Sequence, residues 1–134
     1  MNDHFDEFEF FLEKPWSDGL PVVTPTEERI SKMISATGRD PDEIIGPIPP
    51  AMEIATVASV ATHAVMAGCK PEYLPVVLGA TELMLQSEFN VNGVQGTMHG
   101  VAPMMIVSGP YALEIGIHGG SGCLGPGFRA NASI

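Results

Sequence analysis

The chain has 134 residues, 45% of them apolar and only 16% charged, so it can bury one core but has few ionic side chains to cover it. A formal charge of −10 argues against nucleic acids and anionic membranes as partners, and no apolar run reaches the ~18 residues of a membrane span. The acidic N-terminus is no secretory signal and two cysteines are too few for a disulfide scaffold, which points to a reducing cytoplasm while leaving a Cys69–Cys123 bridge open.

In chain order, residues 1–13 set Phe5, Phe8, Phe10 and Phe11 among acids, an arm that is a short helix or strand. Residues 14–25 are turn-rich, so residues 1–25 lead into a compact part, 26–134, of a single domain or subunit. Thr24 or Thr26 begins a helix with Glu27 and Glu28 in its first turn and Gly38 as its stop. Residues 39–50 read as a loop with a short apolar run, Ile44 and Ile45, before three prolines. The strongest helix follows over 51–67, closed by Gly68, with Glu53, Thr56, Ser59, Thr62 and His63 sharing one half of its circumference. Pro71 opens a second helix over 71–86, slightly kinked at Pro75, and the two form an αα-hairpin.

Beyond a Gly/Asn-rich loop at 87–100, the segment "VAPMMIVSG" reads as a buried strand centred on Met105, Ile106 and Val107. Ser108 and Pro110 start a short helix that Gly116 ends, and a glycine-rich loop runs from there towards Arg129. The fold class is helix-rich α/β or α+β, an αα-hairpin packed on a small sheet. The strands are too few for a complete sheet, so completion by another chain is expected.

Charge and polar groups narrow the candidate site. Eleven of the 16 acidic residues precede position 44, and only Lys70 and Arg129 are basic beyond position 50. Cys69, between the stop at Gly68 and the start at Pro71 and next to Lys70, is expected to be a reactive thiol with a lowered pKa. Against this stands the reading of an inert core cysteine. Cys123 lies in "GSGCLGPG", where glycines let the backbone approach a ligand closely. His99 sits in a polar loop with Gln95 and Thr97, and completes a candidate catalytic set of Cys69, His99 and Cys123. The candidate substrate-binding set is Gly122, Gly125, Gly127, Arg129, Asn131 and His118, which are expected to hold an anionic group through backbone N–H donors and the Arg129 fork. His63 fits a structural hydrogen bond on its helix, and His4 carries no role. Met98, Met104 and Met105 read better as core than as soft-metal ligands. No dithiol, phosphate-loop, dinucleotide or zinc-protease pattern is present, and the sequence specifies neither a cofactor nor a metal set.

The segments "PWSDGLPVVTPT", "GRDPDEIIGPIPP", "AVMAGCKPEYLPVVLGA", "NVNGVQGTMHGVAPMMIVSGP" and "GPGFRANASI" together resemble a family of mostly uncharacterised bacterial proteins. Its members are associated with proteins bearing a UGSC or CGSC motif, which contain selenocysteine or cysteine. The resemblance covers the chain from about residue 14 and implies a thiol- or selenol-linked enzyme whose redox residue lies on the neighbouring protein. It also implies that this chain corresponds to the N-terminal portion of the family's proteins, either a small subunit completed by a second one or a piece of a longer chain. The expected function is therefore a subunit of a heteromeric redox or lyase-type enzyme acting on a small molecule. Two further readings stand beside it: a non-catalytic scaffold subunit, and a soft-metal or organometal-handling protein using Cys69, Cys123 and His99.

Overall fold

A computed structural model describes residues 6–125 and 127–134; Phe5 and His4 of the arm lie outside them, as does Pro126. Among the described residues there are seven α-helices and one two-stranded antiparallel sheet, an α+β arrangement. The arm is a helix, α1 (Glu7–Leu12), capped by the Asp6 carboxylate and burying no side chain. The α2 helix (Glu27–Ser35) starts at the second of the two threonines that the sequence offers. Thr26 Oγ1 accepts from Arg29 N at 3.3 Å, and Gly38, at φ +65°, follows its end.

The next element departs from expectation. Residues 44–48 are not loop but a strand, β1 (Ile44–Ile48), paired with β2 (Glu53–Thr56). Ile45 is the extra residue of a bulge between the pairs Ile44–Thr56 and Gly46–Ala55. Pro47 is tolerated because each strand of a two-stranded ribbon is an edge. Residues 51–56 therefore do not belong to the following helix. Thr56 ends the ribbon and caps α3 (Val57–Met66) through a capping box: its N–H donates to Ser59 Oγ at 2.9 Å, and its own Oγ1 accepts from Ser59 N at 3.2 Å. Glu53 and Thr56 thus leave the helical face that the sequence pattern gave them.

The α3 helix buries Val57, Val60, Ala61, Ala64 and Val65, the spacing of a single helical stripe. Its end is a Schellman motif, with Gly68 N–H donating to Val65 O and Cys69 N–H to Ala64 O, both at 2.9 Å. That geometry requires Gly68 at φ +80° and folds Cys69 back onto the helix it follows. Pro71–Tyr73 form one 3₁₀ turn, and α4 (Leu74–Met84) begins only after it. Pro75 then falls in the first turn, where a missing N–H costs nothing, so the expected kink is not needed. The αα-hairpin is nevertheless present, and Leu74, Leu78 and Val57 are its largest fully buried side chains. Each contributes roughly 1.5–3 kcal/mol of burial free energy.

The glycine/asparagine loop contains a short helix, α5 (Val91–Gly96), which the sequence reading missed. The expected strand around Met105 is absent: residues 101–107 form no ladder, and Met104 and Ile106 are 70% and 81% exposed. An apolar run supplies β-propensity, but a strand also needs a neighbour. The helix expected after Pro110 is present as α6 (Pro110–Glu114), and α7 (Arg129–Ser133) closes the described structure. Ile115 and Ala130 bring these last elements into the same buried core as the hairpin's side chains. No helix among the described residues is long and apolar enough to cross a membrane.

Candidate functional site

The glycine-rich loop is organised by one amide. Asn131 Oδ1 accepts from His118 N at 2.8 Å, while Nδ2 donates to His118 O at 2.9 Å and Cys123 O at 3.0 Å. Three bonds from one side chain on α7 therefore close the loop at its start and at its middle. The His118 ring stacks on Phe128, with centroids 3.8 Å apart and planes 15° from parallel, and its Nε2 lies 3.2 Å from Ser121 O. Gly122 and Gly127 take positive φ, +84° and +134°, which a side chain would strain. Through these contacts Asn131 and His118 hold the loop's shape.

Two of the loop's backbone donors are also used internally. Cys123 N–H donates to Gly120 O at 3.1 Å and Gly125 N–H to Gly122 O at 2.9 Å. They are turn bonds. The loop presents a surface of different character: a cleft of about 620 Å³ between it, the extended segment 102–107 and α7. Met104, Met105, Ile117 and Leu124 line it together with Cys123, Gly125 and Asn131. Cys123 is half-buried and its thiol is free. The lining suits an apolar small molecule, with the thiol as its one reactive group.

Cys69 behaves differently from expectation. It is buried, 7% exposed, and its Sγ–H donates to Ser133 O at 2.8 Å. Burial pushes its thiol above the ordinary range, and the hydrogen bond with Ser133 and the charge of Arg129 oppose this without reversing it. The expected lowering rested on the helix start at Pro71 and on Lys70. The first is a single 3₁₀ turn, and Lys70 lies 3.8 Å from Glu72. Desolvation outweighs both. Cys69 is a core residue at a junction.

His99 is exposed, its N–H donating to Thr97 Oγ1 at 3.2 Å, and it lines neither the Cys123 cleft nor the cavities beside Cys69. His63 Nδ1 lies 2.8 Å from Ser59 O one turn earlier, the structural bond expected of it, though with a different partner. The candidate catalytic set of Cys69, His99 and Cys123 is thus not assembled in one place. Among the described residues no three of His, Cys, Asp and Glu are grouped to hold a metal ion, so the soft-metal reading finds no ligand set there.

Arg129 points away from the glycine loop. Its Nε donates to Gly68 O at 3.0 Å, at the hairpin junction, where it meets Arg29 and Lys32 of α2 around a recess of about 170 Å³. Neither α2 residue figured among the candidates. The available signal was only their i, i+3 spacing on one helix, which becomes meaningful once α7 is brought beside it. Compared with family models, curated proteins and solved structures, the chain matches none of them.

Proposed function

We propose that the chain is one subunit of a heteromeric, thiol- or selenol-linked enzyme, and that it receives a small apolar molecule in the cleft beside Cys123. One observation carries this reading. The outer wall of that cleft is the segment 102–107, whose apolar side chains have no strand beside them and stand exposed. A contiguous apolar surface of this kind belongs against another protein, and a second subunit laid over it would close the cleft from water. Both thiols are free, as a reducing cytoplasm would keep them. The family resemblance supplies the chemistry of the neighbour, a protein with a UGSC or CGSC motif, and Cys123 is this subunit's contribution to the shared site.

The test is co-expression with such a neighbour, followed by isolation of the complex. The expected result is a defined complex in which Cys123, alkylated readily by iodoacetamide in the free chain, is protected. Met105→Asp should abolish the complex without unfolding the chain. A soluble monomer whose Cys123 labels equally fast with and without the neighbour would overturn the reading. The separation of Cys69, His99 and Cys123 favours a second reading, a scaffold subunit with all chemistry on the partner. Cys123→Ser decides between them, since turnover by the complex survives that change only in the scaffold case.

A further inference from the structure

The protein carries six Lys and Arg residues against 16 Asp and Glu, so each cation has acids to choose from. Arg39 binds Glu43 and Glu82, Lys70 lies against Glu72, and Lys14 sits over the Phe10 ring. The remaining three, Arg29, Lys32 and Arg129, make no ion pair among the described residues. All three line one recess. They come from helices a hundred residues apart in sequence, and no acidic residue shares the lining.

The two guanidinium groups are held in place and only partly used. Arg29 Nη1 donates to Thr24 O at 2.7 Å, and Arg129 Nε donates to Gly68 O at 3.0 Å. Each is anchored by a backbone carbonyl, which fixes the plane of the fork and leaves its other N–H groups to bind. Lys32 adds a mobile ammonium with no hydrogen bond of its own to a described residue. In a chain of net charge −10, a neutral or cationic ligand has no reason to seek this spot, whereas an oxyanion finds three positive charges and no carboxylate in the lining. The lining also includes the buried apolar side chains of Met33 and Val65.

We infer that the recess between α2 and α7 binds a dianionic oxyanion of the phosphate class, held by Arg29, Lys32 and Arg129. It is separate from the cleft at Cys123, with which it shares no lining residue, and stands independently of the role proposed for that cleft. Three charges and two planar forks favour a phosphate group over a lone carboxylate. The group is either inorganic phosphate or the headgroup of a phosphorylated small molecule.

The experiment is a titration of the purified chain with inorganic phosphate and, separately, with glycerol 3-phosphate, against chloride at equal ionic strength. Binding is read by calorimetry and by the rise in melting temperature. Saturable binding of either phosphate, absent with chloride, is expected. A tighter glycerol 3-phosphate identifies the headgroup of a metabolite, and equal affinities identify the free ion. Arg129→Lys keeps the charge but not the fork, and should weaken binding at least tenfold. Lys32→Gln, at an exposed position without a partner, should weaken it several-fold at an unchanged anion-free melting temperature. The inference is overturned if phosphate stabilises no more than chloride. It is also overturned if Lys32→Gln and Arg29→Gln, both folded by circular dichroism, bind as tightly as the parent. Phosphate-independent protection of Arg129 that appears only in a complex with another protein would likewise replace the oxyanion with a partner's acidic side chain.

Discussion

Replacing Asn131 by alanine removes three hydrogen bonds at once, those with His118 N, His118 O and Cys123 O. A neutral hydrogen bond contributes about 0.5–1.5 kcal/mol net, and this site is half-buried, so water recovers part of the loss. The expected cost is about 2 kcal/mol. For a domain of this length about 1 kcal/mol moves the melting temperature by roughly 4 °C, which places the variant about 8 °C below the parent. Asn131→Asp sharpens the test. It keeps the acceptor for His118 N but loses both donors, and sets a carboxylate oxygen 2.9–3.0 Å from two carbonyls. It should therefore be no more stable than the alanine variant, although it is closer in shape to the parent. Thermal melting followed by circular dichroism measures both. Alkylation of Cys123 should also speed up in each, because the loop that carries it loses its tie to α7. An aspartate variant melting with the parent would refute the account, because the two donated bonds would then hold nothing.

Two further outcomes follow from the same structure. Cys69 should resist iodoacetamide between pH 6 and 9 until denaturant is added, while Cys123 reacts. Because burial raises the folded thiol's pKa, its stabilising contribution is complete below the unfolded value of about 8.5 and declines as the pH rises past it; Cys69→Ala should flatten that alkaline decline in urea midpoints. Thr56→Ala removes the acceptor for Ser59 N and should cost about 1 kcal/mol, read as a lower urea midpoint at constant slope.

How far the residues announce this fold depends on how local each signal is. The α2 start at Thr26, the stop at Gly68 and the start at Pro110 were legible because each is set by a residue acting on its own neighbours. The β1–β2 ribbon was not. "AMEIAT" continues the helical composition of α3, and only pairing with a proline-bearing partner across the turn makes it extended. The opposite error arose at Met105, where an apolar run looked like a strand without a second strand to receive it. At the site, the glycine loop that carries Cys123 could be found from the sequence, since glycines at positive φ are a local requirement. The burial that raises the pKa of Cys69 could not: it depends on the packing of the folded core, and the thiol's hydrogen-bond partner, Ser133, is 64 residues away. The convergence of Arg29, Lys32 and Arg129 is hidden for the same reason. Arg129 was read together with the glycine loop, whereas the structure sets it in one recess with Arg29 and Lys32.

The bond from Cys69 to Ser133 has a kinetic consequence. Residues 110–134 reach the hairpin through Tyr111 Oη on Glu72 O, Arg129 on Gly68 O, that thiol, and the packing of Ile115 and Ala130. If this segment detaches as a unit, Cys69 is the group it uncovers, and a thiol reagent then records each opening. In the limit where closing outruns alkylation, the labelling rate divided by that of an unfolded thiol is the opening constant, each tenfold of protection corresponding to about 1.4 kcal/mol. The buried cysteine is thus a clock for one particular motion, set by the strength of the seam between the two ends of the compact part.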